Sequence, residues 1–253
     1  MSEKKSPLRD RPLRLPGQSL QEYIDLQLSE KYDSYAMISV AFIGIAIYDW
    51  IRYALNEPLR PWITTLVAAV LLSWSTLKIL QLRKKIQRLK LGRDGERAVA
   101  EILDKLRETG AVVFHDVKAS DFNVDHVIAC RQGIFVVETK TYSKRRGSKV
   151  SFDGEKLLVD GFQPTRDPVD QARLIARWVA KTLREGTSKT YDVKPVLVFP
   201  GWFVNPVKEQ GNSDVWVLNP EALPKFVSNA KDMLSEEDFR AAAFHLSRLA
   251  RSA

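Results

Sequence analysis

Two uncharged apolar runs separated by a five-residue loop constrain this chain more than any other feature. Residues 34–48 read SYAMISVAFIGIAIY, and after Asn56-Glu57-Pro58-Leu59-Arg60 a second uncharged stretch runs from Pro61 to Leu77. A bilayer core about 30 Å thick needs roughly 17–25 helical residues, so the second run is long enough, and the first becomes so when Trp50, Ile51 and Tyr53 complete it. Asp49 and Arg52 then fall near the interface, Trp50, Tyr53, Trp62 and Trp74 supply the amphipathic rings of membrane edges, and Lys78 can snorkel. The competing fold for the same segment is a helical hairpin buried in a soluble domain.

Charge placement favours the membrane. The formal net charge is +8, which by itself suggests a nucleic-acid-binding surface. Residues 33–93, however, carry nine basic and three acidic residues, against 24 and 23 in residues 94–253. The excess is densest in Leu82-Arg83-Lys84-Lys85-Ile86-Gln87-Arg88-Leu89-Lys90, directly after the second apolar run. Lys and Arg within about 15 residues of a membrane end stay cytoplasmic, and basic residues there attract anionic lipid. The N-terminal arm carries Lys4, Lys5, Arg9, Arg11 and Arg14, whereas the loop has only Arg60. The expectation is a multi-pass protein of the cell (inner) membrane with both termini in the cytoplasm. The first run starts too deep, and lacks a small-residue cleavage site, for a removed signal peptide. The arm, with Pro7, Pro12 and Pro16, is expected to be poorly ordered to about Ser19, before an amphipathic stretch, Leu20 to Leu28, at the membrane surface.

Beyond Gly92 the periodicity becomes globular. Val99, Ile102, Leu103 and Leu106 follow helical spacing and stop at Gly110, predicting a helix from Asp94 to Glu108. Strands are predicted over residues 111–117, 124–130 and 134–142, with a hairpin of 149–152 and 157–159 folded at Asp153-Gly154. A second helix starts with Asp167 as N-cap and Pro168 at the first helical position, and is expected to end at Gly186. Strands 195–199 and 215–218 and helices 221–233 and 236–251 complete an α/β domain, a mixed sheet flanked by helices. One cysteine excludes an intrachain disulfide and a cysteine-based structural zinc site.

Within that sheet, Asn123 to Lys140 encodes two apolar strands joined by a polar turn. If Arg131 and Gln132 form the turn, Cys130 pairs with Gly133 and Asp125 falls opposite Glu138, with Cβ atoms about 4.5–5.5 Å apart. Strand alternation puts Glu138 and Lys140 on one face and sends His126 to the face opposite Asp125. Two half-buried carboxylates at that distance repel, so one stays protonated unless a cation is present. Hard oxygen ligands without a histidine cluster suit Mg2+ or Mn2+, held by Asp125 and Glu138 with Lys140 beside it. Metal-assisted phosphodiester hydrolysis is the reaction such a set suits. A structural ion pair between Lys140 and one acid is the alternative. His115 and His245 show no partner pattern, and Cys130 suits a small packed residue.

Four motifs in order carry a family resemblance: Gly92-Arg93-Asp94-Gly95-Glu96, Asn123-Val124-Asp125-His126-Val127, Gly133-Ile134-Phe135-Val136-Val137-Glu138-Thr139-Lys140, and Asp167-Pro168-Val169-Asp170-Gln171. Together they resemble the NERD (nuclease-related) domain, which is related to the PD-(D/E)XK restriction-endonuclease-like superfamily. The resemblance spans about Gly92 to Phe199. It implies a restriction-endonuclease-like fold in which Glu96, Asp125, Glu138 and Lys140 correspond to the helix acid, the two sheet acids and the lysine. Gln171 would be the glutamine of the following helix. From the residues alone, Glu96 in a first helical turn serves equally as a capping group or a third metal contact. Gln171 could contact substrate or the Lys140 head group. Lys144, Arg145, Arg146 and Lys149 could bind phosphates or form a solvated loop.

These expectations divide the chain into a cytoplasmic arm (1–32), a two-helix transmembrane hairpin (33–82), a basic juxtamembrane linker (83–93) and a nuclease-like domain (94–253). The expected function is a membrane-anchored, Mg2+- or Mn2+-dependent nuclease acting on DNA, as in defence against foreign DNA. The competing function is a non-catalytic nucleic-acid- or protein-binding scaffold on the same fold. Lipid and DNA are the expected partners, and self-association as a homo-oligomer is compatible with either function.

Overall fold

The computed structural model describes residues 13–55, 61–143, 149–205 and 213–251. They fall into two compact units, one of Leu20–Lys90 and one combining the arm up to Ser19 with Leu91–Ala253.

In the first unit, α1 (Gln18–Gln27) passes through a wide π-helical turn into α2 (Asp33–Ala54), and α3 begins at Pro61. Ile24 of α1 is buried with Leu82 and Ile86, forming a small apolar cluster. No residue of α2 is buried. Its polar groups are instead tied to α3: Ser39 Oγ donates to Ser75 Oγ at 2.8 Å, and Trp50 Nε1 donates to Thr65 Oγ1 at 2.8 Å. Two helices are long and apolar enough to cross a membrane, and their apolar windows are only 0% and 6% covered by protein. A hairpin buried in a soluble core would be covered.

The helix expected to start at Asp94 does not start there. α3 runs unbroken from Pro61 to Asp104, so the second apolar run, the basic stretch and the first domain helix are one element of 44 residues. Leu, Arg, Lys and Gln are strong helix formers, and Gly92 and Gly95 each cost only about 1 kcal/mol relative to Ala, too little to interrupt it. A 3₁₀ turn then ends at Gly110, whose φ of 88° is left-handed.

The second unit continues with β1 (Val112–Lys118), β2 (Asn123–Cys130), β3 (Gly133–Thr139), β4 (Lys149–Phe152), β5 (Leu157–Val159), α4 (Pro168–Thr187), β6 (Val193–Val198), β7 (Phe203–Val204), β8 (Trp216–Leu218), α5 (Leu223–Ser228) and α6 (Glu236–Leu249). The main sheet has the order β1-β2-β3-β6-β8, and a small one the order β5-β4-β7. β1, β2 and β3 are antiparallel neighbours, whereas β3, β6 and β8 run parallel, making the sheet mixed. One face packs Val127, Ala129 and Val136 against Val179 and Leu183 of α4 and Leu246 of α6. The other packs Ile128, Phe135 and Val137 against Val99 and Leu103 of α3.

α4 starts as expected, with the Asp167 carboxylate accepting the Val169 N–H at 2.8 Å. It ends one residue past the expected glycine. Gly186 stays helical, and the His245 ring lies where its Cβ would be, so this glycine permits packing rather than capping. α5 stops at Ser228 instead of near Met233, because the Met233 and Leu234 N–H groups donate to the Arg131 carbonyl in the β2–β3 turn.

Candidate active site

The site forms where β2 and β3 meet the helix that follows them. Cys130 pairs with Gly133 and His126 with Val137, the expected register; the pairing ends there, with Asp125 close enough to Glu138 to feel its charge. Asp125 Oδ2 accepts the Thr139 N–H at 2.7 Å. Glu138 Oε1 accepts from Lys140 Nζ at 2.6 Å and from Gln171 Nε2 at 2.7 Å, and Lys140 Nζ also donates to Gln171 Oε1 at 2.9 Å. Gln171 thus contacts the Lys140 head group, one of the two roles open to it. The ion pair of Lys140 with one acid is realised too, but it leaves the acids in excess.

The third acid arrives from α3. Glu96 is not in a first helical turn, since α3 begins 35 residues earlier at Pro61. Capping and the helix dipole act only at a helix end, so neither accounts for it. Its position follows from Gly95, where a Cβ would overlap the Thr141 side chain just beyond β3; the missing side chain lets α3 approach the site. Glu96 also accepts the backbone N–H of Gly17 from the N-terminal arm.

Burial dominates the electrostatics. It pushes Glu96 up to about 8, with the negative charges of Asp116 and Glu138 adding to the effect and Lys140 opposing it. Burial, then Glu138 and Glu96, hold Asp125 well above the usual carboxylate range. Burial also raises Glu138, against the pull of Lys140. Glu138 Oε2 is buried with no hydrogen-bond partner. Buried Glu96 and Glu138, the latter with its orphaned oxygen, and half-buried Asp125 offer carboxylate oxygens of the kind a hard divalent cation accepts, with the Lys140 ammonium beside them. Among the described residues no three His, Cys, Asp or Glu side chains already converge as a ready cage. Mg2+ fits such a partial set, because it keeps several waters and takes only one or two protein carboxylates.

The arm supplies contacts that sequence reasoning missed. Asp116, buried in β1 with a left-handed φ of 49°, accepts from Arg14 Nε, from Ser19 N at 3.0 Å and from Ser19 Oγ at 2.8 Å. Residues 13–19 are thus held on the domain, so the expected disorder does not extend to Ser19, because Arg14 and Asp116 form an ion pair buried on both sides; the rest of the arm, 1–12, lies outside the described residues. A lone acid inside the apolar run Val112 to Val117 was the available signal.

His126 is buried on the far face as expected, but His115 does have partners. The two Nδ1 atoms lie 2.9 Å apart, and His115 Nε2 lies 3.3 Å from Asp104. Burial lowers both histidines, His126 strongly, while Asp104 partly opposes the shift at His115. Cys130 is packed, its thiol pushed up by burial. Lys149 is exposed at the start of β4, and Lys144, Arg145 and Arg146 lie outside the described residues.

The mixed sheet flanked by helices defines an α/β domain, with the acid–lysine cluster at one end of β2 and β3. Residues 91–200 match the family model of the nuclease-related domain, NERD, and the chain therefore carries a NERD domain there. No curated protein and no solved structure matches the chain.

Proposed function

We propose that this protein is a membrane-anchored, divalent-metal-dependent nuclease that hydrolyses DNA phosphodiester bonds on the cytoplasmic side of the cell membrane. The observation that carries the catalytic part is the orphaned Glu138 Oε2, buried with Glu96 and close to half-buried Asp125, three carboxyl groups beside a single lysine. Asp125 and Glu138, with Glu96, would hold the cation. When bound, Mg2+ or Mn2+ supplies a polarised phosphoryl oxygen and an acidified water. Lys140 places its positive charge on the phosphate as negative charge grows on the equatorial oxygens. Gln171 keeps the Lys140 ammonium and the Glu138 carboxylate in register, and Thr139 N–H fixes one oxygen of Asp125. Each turnover consumes one water: a P–O bond forms to its oxygen, one ester P–O bond breaks, and the departing oxygen takes up a proton.

The membrane part rests on α2, a 22-residue apolar helix with no buried residue, and on the basic segment 83–90. A DNA nuclease fixed there suits the destruction of incoming foreign DNA. A scaffold without catalysis is the second reading, favoured by the mutual hydrogen bonds of Lys140, Glu138 and Gln171, which occupy the lysine with protein partners.

The test uses the full chain in detergent, since Arg14 to Ser19 pack onto the domain and residues 92–253 alone would lack them. Linear and circular DNA, and RNA, are incubated with Mg2+ or Mn2+. Metal-dependent DNA cleavage lost in Lys140→Ala and Asp125→Asn supports the nuclease; equal products from both variants and the wild type would contradict it.

A further inference from the structure

A cleft of about 430 Å³ is lined by Tyr142, Phe162, Gln163, Thr165 and Arg166 among others, and Tyr142 links it to the acid–lysine cluster, being close enough to Lys140 to feel its charge. Its walls continue the segments that build the site. Tyr142 follows Lys140 by two residues, and Arg166 directly precedes Asp167, the N-cap of the helix carrying Gln171. Tyr142 is a firm wall, stacked on Phe199 with centroids 6.2 Å apart and meeting Trp202 edge-on.

Phe162 is the anomaly. Its side chain is 78% exposed, yet its backbone is tightly held. Val159 and Phe162 exchange both backbone hydrogen bonds, at 2.9 and 3.0 Å, around Asp160 and Gly161, whose φ values of 52° and 81° are those of a tight hairpin turn. The turn is tied to β4, since Asp160 N donates to the Lys149 carbonyl at 2.9 Å and Lys149 N donates to Asp160 Oδ1 at 3.0 Å. A ring displayed this rigidly in water adds nothing to the core. Arg166, also exposed, has no ion pair or hydrogen bond among the described residues.

We propose that this cleft binds a nucleobase and its phosphate beside the scissile bond, so that the substrate is a DNA strand with unpaired bases; the proposal rests on the nuclease reading above. Phe162 stacks on the base, and the planar Arg166 guanidinium takes the phosphate in fork geometry. A base offers its π-face to a side chain only where the strand is single, frayed or flipped out. Charge complementarity and continuity with the site favour this occupant over a lipid surface or a second copy of the chain.

The test measures strand binding without cleavage. Full-length protein in detergent, with chelator present, is titrated into a fluorescein-labelled single-stranded DNA oligonucleotide or its blunt duplex, and anisotropy is followed. Single strands are expected to bind more tightly than duplex. Phe162→Ala, at a ring 78% exposed, should weaken single-strand binding by about 5- to 150-fold and leave duplex binding unchanged. Arg166→Ala should weaken binding and flatten its salt dependence. Equal single-strand affinity in Phe162→Ala and wild type overturns the proposal. So does a Phe162→Ala effect confined to anionic-vesicle binding or to oligomer size. Because no hydrolysis is read, these outcomes are separate from those that test the nuclease.

Discussion

The helix α2 and the end of β3 break the same packing rule in opposite directions. Globular proteins bury apolar side chains and leave carboxylates in water. In α2, Ile43, Ile45 and Ile47 are exposed and no residue is buried. Around β3, Glu96 and Glu138 are buried, and burial holds Asp125 well above its ordinary range. Each region is costly as it stands, and the proposed function offsets each cost with one outside component: hydrocarbon around the helix, a divalent cation among the acids. The lesson is that exposed apolar and buried ionic groups point to partners more directly than does the overall charge, which is carried mostly by the segment next to the apolar helices.

Four experiments would break or sharpen that contrast. The largest effect is expected at the acids and lysine, where Lys140→Ala should reduce metal-dependent DNA cleavage by about two to four orders of magnitude, read as initial rate at saturating Mg2+. Next, Ile43→Asp with Ile45→Asp should displace the protein from carbonate-washed membranes, each charge costing about 2.5–3.5 kcal/mol at a bilayer centre. A helix exposed to water would tolerate both changes. Third, Arg14→Ala leaves the buried Asp116 carboxylate without its ion-pair partner, with only the Ser19 hydrogen bonds remaining, and should destabilise the domain by about 3 kcal/mol, read from chemical unfolding.

The smallest effect is in pH. The folded-state value of Glu96, about 8, lies above its ordinary 4.5, so below about pH 4.5 the proton is bound in both states. Between those values the unfolded chain releases a proton that the folded chain retains, and stability falls as pH rises. Asp125 and Glu138, also raised, act in the same sense. The metal-free melting temperature should therefore drop from about pH 5 to 8, and Glu96→Gln should flatten the profile.

Much of this site was legible because it is local. The turn Arg131-Gln132 sets a register that brings Asp125 to Glu138 across only 13 positions, and Asp167-Pro168 marks the start of the helix bearing Gln171. The continuity of α3 was not legible, because Gly92 and Gly95 look like breaks unless the Thr141 contact behind Gly95 is known. The Arg14–Asp116 pair joins residues 102 apart, and no short-range pattern carries it. His115 and His126 were within reach, since they face each other in the β1–β2 register, but only once that pairing was counted.

The most direct measurement is calorimetric titration of Mn2+ into metal-free full-length protein at neutral pH, repeated in buffers of different ionisation enthalpy and with Asp125→Asn. The expected result is one saturable event accompanied by proton release, since the raised carboxyls must deprotonate to bind, and its loss in the variant. Absence of saturable binding in the wild type, or identical binding in Asp125→Asn, would contradict a cation site among the buried acids.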